Sequence, residues 1–64
     1  MMSKRDYERV ADAVQAAVAA NAGDPARLAG VTFLAQQLVI TFMVDDPKFS
    51  RGKFLDACGL GALV

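Results

Sequence analysis

Apolar residues recur along the first third of the chain at helical spacing. Tyr7, Val10, Ala11, Val14, Ala17 and Val18 follow one another at i, i+3, i+4 and i+7, so they line one face of a helix. Lys4, Arg5, Glu8, Arg9, Asp12 and Gln15 fall on the other face. Ser3 with Asp6 three residues on forms a capping-box pattern, and Met2 and Tyr7 stand at the positions of a hydrophobic staple. The first helix is therefore predicted over 4–21. Asn21-Ala22-Gly23 is expected to end it, with the left-handed backbone that Asn and Gly tolerate.

A second helix is predicted over 25–44. Asp24 caps it and Pro25 opens it, where a missing N–H costs nothing. Pro47 disfavours helical geometry at Asp46 and stops it. This helix carries two apolar stripes. Leu28, Val31, Ala35, Leu38, Val39 and Phe42 form the first; Ala26, Ala29, Phe33, Ile40 and Val44 form the second, nearly opposite. A third, short helix is predicted over 51–58. Ser50 is its cap, Phe49 and Phe54 its staple, and Phe54, Leu55 and Cys58 its inward face. Gly59 is the expected C-terminal cap, with Leu60 folding back on Leu55. The tail from Gly61 to Val64 is apolar and is expected to fray or to pack on a neighbour.

The pattern thus predicts one all-α domain over 1–64: two long antiparallel helices plus a short C-terminal third. The first helix can cover the first stripe of the second. The third is too short to cover the other stripe, so Ala26, Ala29, Phe33, Gln37, Ile40 and Val44 become candidate interface residues. Gln36 and Gln37 interrupt the apolar run. A polar residue inside a helical seam fixes register; the plainer reading, preferred here, is that both amides face water. Ala13, Ala16, Ala17 and Ala20 are expected to face Ala29 and Gly30, letting the first two helices approach closely and justifying a helical glycine.

Length strengthens the case for assembly. A chain of 64 residues builds a core worth only about 3–5 kcal/mol unless a staple or a partner helps. Cys58 is the only cysteine and histidine is absent, so neither a disulfide within the chain nor a Cys/His zinc site is available, and no metal or cofactor is expected. Hydrophobic residues make up 55% of the chain, high for so much surface, and the formal net charge is zero. Both favour self-association into a homodimer or larger oligomer. No secretory signal is visible, and the run from Val31 to Val44 falls short of the ~18–20 residues of a spanning helix, so the expectation is a cytoplasmic protein with no membrane span.

No catalytic constellation emerges. The usual general base is missing with histidine. Asp45 and Asp46 read as a turn before Pro47 rather than as an ion site, since hard cations want several oxygen ligands. Cys58 stands near a helix C-terminus, where the dipole disfavours a thiolate, so it is expected to be core. The chain is therefore read as a non-enzymatic protein–protein interaction module. The alternative is a small nucleic-acid-binding protein, with Lys4, Arg5, Arg9, Lys48, Arg51 and Lys53 as phosphate contacts. The balanced net charge argues against it.

Two segments carry a resemblance. The opening Lys4-Arg5-Asp6-Tyr7-Glu8, with its Lys-Arg-Asp-Tyr core, and the stretch from Asp46 to Gly59, with its Phe-x4-Phe-x2-Ala-Cys-Gly pattern, resemble a group of very small proteins encoded by phages of actinobacteria. The resemblance implies a setting, the cytoplasm of an infected bacterium; the excess apolar helical surface, with no catalytic group, makes a bacterial host protein a further expected partner. It implies no activity and no functional residues. Gly52 and the apolar tail after Gly59 depart from the group's pattern.

Overall fold

A computed structural model describes residues 2–61, and these are all-helical, with no strand among them. The order is α1 (Lys4–Ala20), α2 (Pro25–Asp45) and α3 (Arg51–Ala57). The starts match those predicted, and each C-terminal end lies within one residue of its expected place. The starts agree because each helix is capped by a side-chain acceptor. Ser3 Oγ accepts from the Asp6 N–H (3.3 Å), Asp24 Oδ1 from the Arg27 N–H (3.2 Å) and Ser50 Oγ from the Lys53 N–H (3.4 Å).

At α1 the cap is reciprocal, since the Ser3 N–H donates to Asp6 Oδ2 at 3.0 Å. That backbone bond first, and then the Ser3 hydroxyl, hold the Asp6 carboxyl below its ordinary pKa. A lowered folded-state value means that this contribution is fully present above the unfolded value, about pH 3.9, and is lost as pH falls through the folded one.

The end of α3 is a complete Schellman motif. Gly59 adopts φ +79°, the Gly59 N–H donates to the Asp56 carbonyl (3.0 Å), and the Leu60 N–H donates to the Leu55 carbonyl (2.9 Å). Leu60 is thereby driven into the core beside Leu55, with none of its surface exposed. The end of α1 is built differently from the expectation. Gly59 is the only described residue with positive φ, so Gly23 is not a left-handed cap. Asn21 closes the helix in a non-left-handed conformation, and its Nδ2 donates to the Ala17 carbonyl at 2.8 Å. An amide that reaches back to a free carbonyl makes the left-handed turn unnecessary.

Ala11 and Val14 of α1, Ala35, Val39 and Phe42 of α2, and Phe54, Leu55, Cys58 and Leu60 from α3 and its cap form the core. Tyr7, Val10, Val18, Val31, Leu38 and Phe49 pack around it, as does Met2. The apolar face of α1 and the first stripe of α2 are thus inward, as their spacing predicts. The small-residue contact is not where it was expected. Ala13, Ala16, Ala20, Ala29 and Gly30 are exposed, and a Cβ added at Gly30 would meet nothing within 4 Å. The buried small residues are Ala11 and Ala35 instead, because they lie in phase with the large core side chains and the other alanines do not. The apolar tail expected from Gly61 to Val64 lies, beyond Gly61, outside the described residues.

These two glycines give a paired test. Gly59→Ala must place a Cβ at positive φ and is expected to lower stability by about 1–2 kcal/mol. Gly23→Ala meets open space at ordinary φ and should be neutral or stabilising by up to about 1 kcal/mol. Urea denaturation of the two variants checks both; equal losses would refute the assignment of the caps.

Candidate interaction surface

The second stripe of α2 is exposed along its whole length. Ala26, Ala29, Phe33, Gln37, Ile40 and Val44 are all exposed, Phe33 by 63% and Val44 by 83%. Leu34 and Met43, which belong to neither predicted stripe, are exposed as well and widen the patch on both sides. Their signal was present in the sequence as apolar residues in a helix with no polar side, but such a helix gives no phase from which to assign them. Gln36 is half-buried, so only Gln37 faces outward as both glutamines were expected to.

Little on this face competes for water. No charged residue lies between Arg27 and Asp45. The Thr41 hydroxyl is turned back onto the Gln37 carbonyl (3.0 Å), and the Thr32 hydroxyl onto the Leu28 carbonyl (2.9 Å). Measured as a helix rather than as an apolar run, α2 has 21 residues and an 18-residue window of mean hydropathy 1.5, little of it buried. By length and composition alone it is long and apolar enough to cross a membrane.

The basic residues divide. Lys4, Lys48 and Lys53 line one open groove of about 570 Å³ between the start of α1, the 46–50 turn and α3. Glu8 and Asp46 share that lining, and Tyr7, Phe49 and Phe54 contribute aromatic surface to it. Arg5, Arg9 and Arg51 are exposed and do not line the groove. Asp46 is held in the turn, where its Oδ1 accepts from the Lys48 N–H at 3.0 Å. The Asp46 carboxylate thus serves the turn before Lys48, and no group of three or more metal-ligating side chains occurs among the described residues.

Tyr7 is packed between Phe42 and Phe49, each with its ring centroid 5.0 Å away. Its hydroxyl is buried and has no hydrogen-bond partner among the described residues. Burial, and then the charges of Asp46, Asp45 and Asp6, push the phenol above its ordinary pKa. Cys58 is fully buried, and burial pushes its thiol up as well. A protonated, inaccessible thiol is a poor nucleophile, in line with the core role expected of it.

No protein-family profile, curated protein or solved structure matches this chain.

Both titrations are directly observable, because the chain has one tyrosine and one cysteine. Ultraviolet titration of the phenol should give a midpoint above the ordinary ~10. A raised folded-state pKa keeps the neutral phenol in the native state, so stability should be level below about pH 10 and fall as pH rises beyond it. A midpoint at or below the free value would contradict the packing around Tyr7. The Cys58 thiol should react with an aromatic disulfide reagent only after denaturant is added; a rapid native-state reaction would place it at the surface.

Proposed function

We propose that this protein is a non-catalytic interaction module that self-associates through the outer face of α2. In this reading α1 and α2 form an antiparallel hairpin closed by the 21–24 turn, α3 seals one end, and the uncovered side of α2 meets a second copy. The single observation that carries it concerns the aromatic residues. Tyr7, Phe42, Phe49 and Phe54 interlock inside the fold, while Phe33 stands out in solvent amid Leu34, Ile40 and Val44. Burying one such phenylalanine fully is worth about 1.5–3 kcal/mol, and exposed aromatics are the usual anchors of protein interfaces.

The absence of histidine and the burial of Cys58 support a non-enzymatic role. In the phage setting that the sequence resemblance implies, the module acts in the host cytoplasm and a host protein is its further partner. A second reading rests on the groove. Three lysines drawn from three separate segments give it a phosphate-binding rim, so a nucleic-acid contact through Lys4, Lys48 and Lys53 is the alternative. Salt-sensitive retardation of DNA, abolished by Lys48→Glu with Lys53→Glu, would favour that alternative.

The decisive measurement is molar mass by light scattering behind a sizing column, for wild type and Phe33→Glu. The wild type is expected to run as an oligomer. The variant is expected to fall to the 6.8 kDa of one chain with its helical circular dichroism unchanged. A monomeric wild type that instead floats with liposomes would transfer the face of α2 to a membrane surface.

A further inference from the structure

The outward face of α2 has a finer pattern than an apolar patch. Ala26, Gly30, Phe33, Gln37, Ile40 and Val44 are all exposed, and their spacing alternates four and three residues over the length of the helix. That alternation is the seam of a two-helix coiled coil. We infer that this seam pairs with the same seam of a second copy in antiparallel orientation, with the two-fold axis crossing α2 near Ala35. The inference rests on the self-association proposed above and fixes its geometry.

Three features select the antiparallel arrangement. The first is size. Turning the seam end for end sets Val44 against Ala26, Ile40 against Gly30 and Gln37 against Phe33 of the partner copy. Each large aliphatic residue then meets a small one. A parallel pairing sets Gly30 against Gly30 and Ala26 against Ala26, and leaves a void at that end. The second is Gly30 itself. No described residue of its own chain needs it: the position is helical, and a Cβ there would meet nothing within 4 Å. A glycine that no contact among the described residues requires is accounted for by a partner side chain seated in the notch it leaves.

The third feature is charge. Arg27 and Asp45 are the only charged residues of α2, one near each end. Both project about 100° from the middle of the seam, on the same side of it, at 100° per residue. In the antiparallel pair Arg27 lies within about 3 Å, along the axis, of Asp45 on the partner copy, given 1.5 Å per residue. Among the described residues Arg27 pairs with Asp24 alone, at 3.4 Å and in solvent, a contact weak enough to exchange for one across the seam. In a parallel pair the two arginines gather at one end and the two aspartates at the other. Antiparallel helices also oppose their dipoles favourably.

Disulfide trapping tests this directly. Ala26→Cys and Val44→Cys are prepared separately, each at an exposed position, with wild type as the control for Cys58. Circular dichroism and light scattering are run first on each variant. On mild oxidation, an equimolar mixture of the two variants is expected to give a covalent heterodimer. Each variant alone is expected to give none, because its two copies of the new thiol lie about 27 Å apart along the axis. Gly30→Cys mixed with Ile40→Cys serves as an independent pair with the same expectation. Self-crosslinking of Ala26→Cys alone would show a parallel seam and overturn the inference while leaving self-association intact. An oligomer in which neither mixed pair crosslinks would place the interface elsewhere. A wild type of single-chain mass would remove the self-association reading, and this inference with it.

Discussion

The fold turns on four rings. Tyr7 from α1, Phe42 from α2, Phe49 from the turn and Phe54 from α3 stack with centroids 5.0–5.5 Å apart. Every helix contributes one ring, so a single cluster ties the whole chain together. Edge-to-face and tilted contacts of this kind add about 0.5–1.5 kcal/mol each beyond the area they bury. In a chain with so small a core this is a large share of what holds it. The remaining packing hangs from that cluster. Leu60 and Cys58 fill the base of α3, and Ala11 of α1 and Ala35 of α2 are buried in the same core. The cluster lies at the C-terminal end of α2 and leaves the opposite side of that helix uncovered. The core and the exposed apolar face of α2 are consequences of the same placement.

Much of this was legible in the chain. Ser3, Asp24 and Ser50 announce the helix starts because a capping oxygen acts on backbone three residues away and needs nothing else. Gly59 and Leu60 announce the end of α3 for the same local reason. The inward face of α1 follows from its strong segregation of apolar and polar residues. What failed was whatever depended on the relation between helices. The alanines of α1 and Gly30 were paired on size alone, but size does not give phase, and the structure turns Ala13, Ala16 and Ala20 outward. Gly23 failed because Asn21 solved the same terminus first, through its side chain.

The candidate site divides in the same way. Phe33, Ile40 and Val44 were legible because they lie opposite Ala35 and Phe42, and the covering helix was visibly too short. Leu34 and Met43 were not, since a helix apolar on every side hides its own boundaries. The grouping of Lys4, Lys48 and Lys53 was beyond reach as well. It depends on the turn at Asp46 and Pro47 carrying α3 back to the start of α1, which no local pattern specifies.

The three side-chain caps bear also on time. Each helix start is fixed by groups three residues apart, and only two short connections separate the three helices whose rings form the cluster. A topology dominated by near-neighbour contacts loses little loop entropy before packing rewards it, and such chains fold in microseconds to milliseconds. For a chain that emerges with a bare apolar helix side, that speed has a use. It shortens the interval in which the inner stripe of α2 is open together with the outer one, and so limits the surface on which newly made copies can aggregate before they reach their native contacts.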